Sequence, residues 1–504
     1  MQPAELFQLG APRNAFWVLV LLLGGCSVLW RPDPSGASRQ TLPDSHLTEE
    51  IRVETQTFRF QPHQDLIGRL YKIRIEEGDT LPLLARNFNV GFEEIRLANP
   101  GVDPWVPEVG REVILPLRHI LPDADRKGLV VNTAAFRLFY FEGAELKIGA
   151  VRGRCPPVSG ADRSTVITAV NEVWTSPVGV GRQGWETPKG KTTIVEKRKD
   201  PAWHVPPSIR REWARKGVYL PRIVPPGPNN PLGRYALRLG FRGYLIHGTN
   251  KPYGVGMRVS HGCIRLYPEA IEQLFRRVAV GTPVQIVEQP YLAGWHEGML
   301  YLQVYPARER KSARSRSERG SRGSRSSSER GRWSPALRKL FRKLRWIERR
   351  FGVAVDWKRV RRLLREPRAI PFPILKGSPE PETVLAQIGS IPHPELRYRY
   401  LLPPPAPGWY LKIPEPLPYR TALRYARMLH HMGPPYPARA LPRQGGALLT
   451  VGPYRSRREA REALRRLQRE LPLRFQLLFF EQPPLRPAHP PSVAHPPPDW
   501  RKRT

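Results

Sequence analysis

The chain has 504 residues, enough for two or more domains. Its 82 Lys and Arg stand against 44 Asp and Glu, a formal charge of +38 that excludes an acidic surface and implies a polyanionic or anionic-lipid partner. Three cysteines occur, Cys26, Cys155 and Cys263, too few for a disulfide framework.

Arg13 precedes an apolar run over residues 15–23, which is too short to span a bilayer and has the length of a secretory signal core. The run ends in Leu23-Gly24-Gly25-Cys26, which resembles the bacterial lipobox. The resemblance implies a signal over residues 1–26, cut before Cys26, with Cys26 as the lipidated residue. Ser27 resembles the following residue of lipoproteins sent to the outer membrane, so the expected location is the periplasm, as an outer-membrane lipoprotein. An ordinary signal peptide is the alternative. Residues 27–66, polar and rich in Pro and Ser, read as a tether.

Tyr71-Lys72-Ile73-Arg74-Ile75 alternates as a strand, and Glu76-Glu77-Gly78-Asp79-Thr80 follows. Leu81, Leu84, Ala85 and Phe88 share one helix face, and Pro82 falls at an early position where no backbone donor is needed. A second helical run with Phe92, Ile95 and Leu97 leads to Asn99-Pro100, and Glu112-Val113-Ile114-Leu115-Pro116 closes the unit as a strand. This order resembles the LysM module over residues 70–117, a small α+β unit, which implies binding of N-acetylglucosamine-containing strands such as peptidoglycan.

Residues 118–290 read as mainly β, with strands at 128–132, 136–141, 191–195, 235–239, 243–246 and 284–287 and one helix over 268–278. Within them Ser260-His261-Gly262-Cys263-Ile264-Arg265 follows Ile246-His247-Gly248-Thr249. A cysteine nucleophile needs an imidazole to remove its proton and bare backbone N–H groups to hold an oxyanion, so these residues point to acyl transfer. With Pro177-Val178-Gly179-Val180-Gly181 and Thr187-Pro188-Lys189-Gly190, the set resembles the YkuD-type L,D-transpeptidases of bacterial cell walls, and within them the ErfK-like subgroup with an N-terminal LysM.

The resemblance implies a mainly-β catalytic domain over residues 125–292, with Cys263 as nucleophile and His247 as general base. The Gly248 carbonyl would orient His247, and the amides around Gly262 and Cys263 would form the oxyanion hole. A neighbouring imidazolium would populate the thiolate. His261 either polarises Cys263, binds substrate or makes a structural hydrogen bond. Arg265 either binds a substrate carboxylate or supports the loop. Ser260 and Thr249 are, with Arg265, the substrate-binding candidates, and structural bonding through their hydroxyls is the other reading. No metal or cofactor is called for. Cys155 reads as a small buried thiol, or as a disulfide partner of Cys263. The segment 142–176 reads as an inserted hairpin near the cleft, and 200–230 as a lid-like loop in which Trp203, Trp213 and Tyr219 pack or touch a peptide.

Residues 307–334 are a Ser/Arg/Gly stretch without apolar anchors, a basic disordered linker. Between 307 and 368 lie 23 Lys and Arg against 6 acids, a net +17. Leu337, Leu340, Phe341, Leu344, Ile347 and Phe351 mark one helix after Ser334-Pro335, and Asp356 caps a second carrying Trp357, Val360, Leu363 and Leu364. These basic amphipathic helices over 335–366 either lie on anionic headgroups or pack as a hairpin on another domain. Residues 405–482 read as strand 409–413, helix 419–431, strand 447–451, helix 457–471 and strand 475–480. With Gly452-Pro453-Tyr454-Arg455-Ser456 they resemble the SPOR domain, an α+β glycan binder; a ferredoxin-like fold of other purpose is the alternative. A Pro-rich tail fills 483–504.

Taken together, these resemblances imply a peptidoglycan transpeptidase. Cys263 would attack the third residue of a tetrapeptide stem, release D-alanine, and pass the acyl group to a stem amine or to a lysine of a wall-anchored lipoprotein. Its partners would be glycan strands, stem peptides and an anionic membrane surface, and no nucleic acid is expected of a secreted chain. L,D-carboxypeptidase action, sortase-like transpeptidation and a non-catalytic glycan-binding scaffold are the other readings.

Overall fold

The computed structural model describes residues 56–61, 64–142, 145–149, 166–215, 218–307, 334–394, 396–398, 402, 404–431, 436–471 and 473–481. Cys26, Cys155, the linker at 308–333 and the tail at 482–504 lie outside them. Among the described residues no helix is long and apolar enough to cross a membrane.

The N-terminal module pairs strands Leu70–Arg74 and Glu112–Pro116 antiparallel, with α1 (Leu81–Asn87) and α2 (Phe92–Ala98) between them. The Thr80 hydroxyl accepts from the Leu83 amide at 3.1 Å and so fixes where α1 begins. At the start of α2 the Gly91 amide donates to the Glu94 carboxylate at 2.8 Å. Strand Ser390–Ile391 joins this sheet parallel to Leu70–Arg74, so residues far down the chain complete it.

The module is locked onto the catalytic domain. Arg137 donates to Glu94 through Nε (2.8 Å) and Nη2 (2.6 Å), and both side chains are fully buried. The start of α2 also reaches Gly256: the Phe92 amide donates to the Val255 carbonyl and the Glu93 amide to the Gly256 carbonyl, each at 3.3 Å. A Cβ on Gly256, whose φ is +82°, would stand 2.3 Å from the Phe92 nitrogen, so only glycine permits this approach.

The catalytic domain is built on a ten-stranded mixed sheet. Its order runs Thr57–Phe60, Val166–Pro177, Arg137–Phe141, Gly128–Asn132, Pro283–Val287, Gly190–Lys199, Tyr235–Leu239, Leu245–His247, Ile264–Arg265, with Glu145–Gly149 paired to Val166–Pro177. Gly128–Asn132 is buried along its whole length, in keeping with its run of aliphatic residues. Helix α3 (Pro207–Arg215) lies in the segment expected as a lid, and α4 (Pro268–Arg277) buries Ala270, Ile271 and Leu274 in the domain core.

Three expectations are corrected here. Residues 57–60, placed in the tether, form an edge strand instead, because Phe58 and Phe60 alternate into a core with Phe139 and Val173. The segment 142–176 does hold a hairpin, but the sheet order puts it at the end away from Ile264–Arg265, and none of its described residues lines the catalytic cavity. The lid is not a bare loop: Trp203–His204 pairs with Ile223–Val224, and α3 runs between them.

The chain then forms a hairpin, Tyr291–His296 with Met299–Val304, covered by α5 (Pro335–Phe351) and α6 (Trp357–Arg365). Leu340, Leu344, Ile347, Val360 and Leu363 are buried there with Leu300, Leu302 and Phe372. Of the two expectations for these helices, packing against a neighbour is observed, and their apolar faces are not free to enter a membrane. The short α7 (Pro381–Ala386) leads toward the strand at Ser390–Ile391.

The C-terminal module is a four-stranded sheet, Ala438–Arg443, Gly446–Tyr454, Gly408–Lys412, Gln476–Phe480 in that order, with α8 (Tyr419–His431) and α9 (Arg457–Glu470). The strand Ala438–Arg443 escaped the sequence reading because Arg439 and Pro442 interrupt its apolar alternation. Proline is tolerated there because this is an edge strand.

Candidate active site

The site lies at the sheet edge formed by Leu245–His247 and Ile264–Arg265. These strands run parallel, with His247 in register with Arg265, so a crossover of residues 248–263 must lie between them. That crossover returns Cys263 to the strand that carries His247. Arg265 is fixed by its backbone, which exchanges two 2.8 Å hydrogen bonds with Gly179.

The His247 ring is buried, and its Nδ1 stands 2.6 Å from the Gly248 carbonyl. A carbonyl only accepts, so Nδ1 carries the proton and Nε2 is the bare, basic nitrogen. Burial, reinforced by the Arg265 charge, lowers the His247 pKa to about 3 against the pull of the Gly248 and Leu232 carbonyls. Burial also pushes the Cys263 thiol up, opposed by the Leu245 amide and the Arg265 charge. Burial therefore favours a neutral thiol with a neutral imidazole over the imidazolium expected from the sequence.

That state has a measurable consequence. Alkylation of Cys263 by iodoacetamide is expected to keep climbing above pH 9, since the folded thiol titrates above its ordinary value of 9.0. A rate that levels off near pH 7 would reveal a preformed thiolate–imidazolium pair and overturn this assignment.

The loop around Cys263 is held by hydroxyls. Ser260 Oγ donates to the Cys263 carbonyl at 2.5 Å and accepts from the Gly262 amide at 3.1 Å. Thr187 Oγ1 donates to the Gly262 carbonyl at 2.9 Å and accepts from Gly181. Gly262 has φ +105°, and a Cβ there would meet the Tyr244 ring at 2.7 Å, so the turn requires glycine. Thr249 is buried and accepts from the Lys251 amide at 2.9 Å, which shapes the first residues of the crossover.

His261 turns to a different partner set. Its Nε2 is 3.0 Å from Glu212 on α3 and 2.9 Å from Arg182, which is itself paired with Glu212 at 2.6 Å. Burial and the charges of Arg182 and Arg265 hold His261 below its ordinary pKa against the pull of Glu212. The Trp185 ring meets it edge-on at 4.8 Å. Glu212 and Arg182 were missed from sequence; the signal available was a lone acid in the basic helix Pro207–Arg215.

A cavity of about 1590 Å³ joins these groups, with Cys263, His247, His261 and Arg265 in its wall beside Trp203, Trp213 and Tyr219. The Arg265 Nε is buried with no hydrogen-bond partner, leaving a cation beside Cys263. Among the described residues no cluster of His, Cys, Asp or Glu suited to a metal ion is present.

Comparison with known proteins matches this region. The family model of the L,D-transpeptidase catalytic domain covers residues 158–286. The probable L,D-transpeptidase ErfK/SrfK of Escherichia coli K12 is 39% identical over 317 residues, 62% of this chain and 88% of that one. Two more from the same strain are similar: the probable L,D-transpeptidase YcfS, 40% identical over 42% of this chain and 60% of its own length, and YbiS, 38% identical over 48% and 71%. With the mainly-β catalytic fold, the Ser-His-Gly-Cys turn and this likeness along most of a relative's length, the chain belongs to the L,D-transpeptidase family.

Proposed function

We propose that this protein is a peptidoglycan L,D-transpeptidase working through a thioester on Cys263. The observation that carries the reading is the His247 tautomer: a ring held by Gly248 with Nε2 bare, in one cavity with a neutral Cys263 thiol. As Sγ attacks the carbonyl of the third residue of a tetrapeptide stem, its proton passes to His247 Nε2. The C–N bond to D-alanine breaks, and the same proton goes to the leaving amine, which restores the neutral imidazole. An acceptor amine then attacks the thioester, and Cys263 leaves with a proton.

The Gly262 amide is taken by Ser260, so we assign the oxyanion to the Cys263 amide, with Arg265 lowering the cost of negative charge on sulfur and oxygen. Ser260 and Thr249 serve as loop supports, and His261 as the link between the nucleophile loop and the lid. Mass spectrometry of products from purified disaccharide-tetrapeptides, with and without an amine acceptor, tests the reading. A new amide to the third residue supports it. Only tripeptide would indicate carboxypeptidase action instead, and unchanged substrate would refute both.

The same proposal covers location and targeting. The lipobox-like Leu23-Gly24-Gly25-Cys26 supports a periplasmic, outer-membrane lipoprotein. Cys26→Ser is expected to move the protein to the soluble periplasmic fraction; retention in salt-washed outer-membrane pellets would exclude lipid anchoring. The LysM-like and SPOR-like modules would bind glycan strands beside the catalytic domain.

Residues 308–333 contain ten Lys and Arg against three Glu. That charge would attract anionic wall or lipid surfaces over about 8 Å at physiological salt. Replacing those ten residues by Ser is expected to weaken binding to sacculi at low salt only; equal binding at every ionic strength would make the segment a spacer.

A further inference from the structure

The catalytic cavity is not walled by the catalytic domain alone. Tyr436 and Arg466 of the C-terminal module also line it, Arg466 from the exposed face of α9. Among the described residues three guanidinium groups of this wall, Arg242, Arg265 and Arg466, have neither a hydrogen bond nor an ion pair through their side chains. The remaining two arginines, Arg198 and Arg238, are both held by Glu196, the single carboxylate lining the cavity. A wall with three such guanidinium groups and one carboxylate favours an anionic ligand, and a guanidinium fork fits a carboxylate in two-point geometry.

The module that carries Arg466 is held by a clamp on α8. Arg420, Arg424, Arg427 and His431 recur at spacings of four, three and four, so they form one stripe along α8. Arg424 pairs with Asp103, Arg420 donates to the Val106 carbonyl at 3.0 Å, and Arg427 donates to the carbonyls of Asp79 and Trp105, each at 3.2 Å. His431 Nε2 lies 3.1 Å from the Thr80 hydroxyl. The opposite face of the helix, with Ala426 and Leu429, builds the core of the C-terminal module. The stripe thus ties this module to two loops of the N-terminal one, which is itself locked to the catalytic domain through Glu94 and Arg137.

We propose that the C-terminal module is a wall of the catalytic cleft: Arg466, together with Arg242, forms a subsite for a carboxylate of the bound peptide, and the α8 stripe sets where Arg466 stands. The proposal rests on the reading of the cleft as a peptide acyl-transfer site. It names the class of peptide as one carrying free carboxylates beyond the reacting carbonyl. Charged recognition of this kind is placed outside the Cys263–His247 pair, so it governs binding and not the chemical step.

The test uses the full-length protein with Cys263→Ala to prevent turnover, and calorimetric titration with a tetrapeptide stem and with the same peptide amidated at its free carboxylates. Arg466→Ala is expected to raise Kd for the acid form about tenfold, the loss of one charged hydrogen-bonded contact, and to change Kd for the amidated form less than twofold. Arg466→Lys should retain part of the affinity. Arg424→Glu should reproduce the loss by setting two carboxylates against each other, whereas Arg424→Lys, which keeps a cation opposite Asp103, should retain binding. Equal Kd for the acid form with and without Arg466 overturns the subsite while leaving the peptide reading intact. An unchanged Kd in Arg424→Glu, or an equal loss in Arg424→Lys, overturns the clamp. If the protein with its native Arg466 binds neither peptide form, the peptide reading itself falls.

Discussion

Cys263→Ala is expected to abolish thioester formation and to reduce turnover of tetrapeptide stems on the order of 10³-fold or more, while the protein stays folded. The sulfur is the one atom of the site able to form the acyl bond, and no second thiol stands in the described residues. The fold should tolerate the change because the Cys263 side chain is small and its contact to the Gly243 carbonyl, 3.9 Å, is weak. The loop around it is held by the hydroxyls of Ser260 and Thr187, which the substitution leaves in place. Intact-mass measurement after incubation with donor peptide checks the first part and circular dichroism the second. An adduct of the expected mass on the Ala variant would end the assignment of Cys263.

The second large effect concerns stability. Arg137→Ala is expected to destabilise the protein by about 3–5 kcal/mol, because it leaves the Glu94 carboxylate buried without its cation. The guanidinium also donates to the Asn89 carbonyl at 3.1 Å and to Thr175 at 3.3 Å, so three elements lose a partner together. Replacing both members, Arg137→Met with Glu94→Leu, should recover much of the loss, since no charge is then stranded. Urea unfolding of the single and double variants measures this. A single variant within about 1 kcal/mol of the parent protein would show that water reaches the pair or that the N-terminal module is held by other contacts.

This pair also explains why the sequence reading treated the N-terminal unit as a separate bead. Its strands and helices were legible from local signals: Thr80 before an apolar helical run, alternation over residues 71–75, and Pro82 at a position that needs no donor. Nothing local in Glu94 or Arg137 marks them as partners 43 residues apart. A buried ion pair is set by packing, and packing is a property of the assembled chain.

The catalytic loop divides in the same way. Cys263, His247 and Gly262 were legible because thiol chemistry needs a base and a bare backbone within short, glycine-marked segments. The role of Gly248 as the ring's acceptor was also within reach, since the two residues are adjacent. The balance of protonation was not: burial lowers the His247 pKa and raises that of Cys263, and burial comes from strands contributed by distant parts of the chain. Glu212, Arg242 and Arg466 were missed because their meaning lies in what they face. A lone acid meets His261, and two arginines more than 200 residues apart line one cavity, only once the chain has folded.

The sequence by itself determined the family resemblance, the order of most strands and helices, and the places where helices begin, because these depend on neighbours within a few residues. The tertiary structure decided that residues 57–60 belong to the sheet and that the basic helices α5 and α6 bury their apolar faces. It also decided that the C-terminal module stands at the mouth of the catalytic cleft. Each of these depends on surfaces that become complementary only after folding, when burial of apolar area and the pairing of buried charges select one arrangement among those the local signals allow.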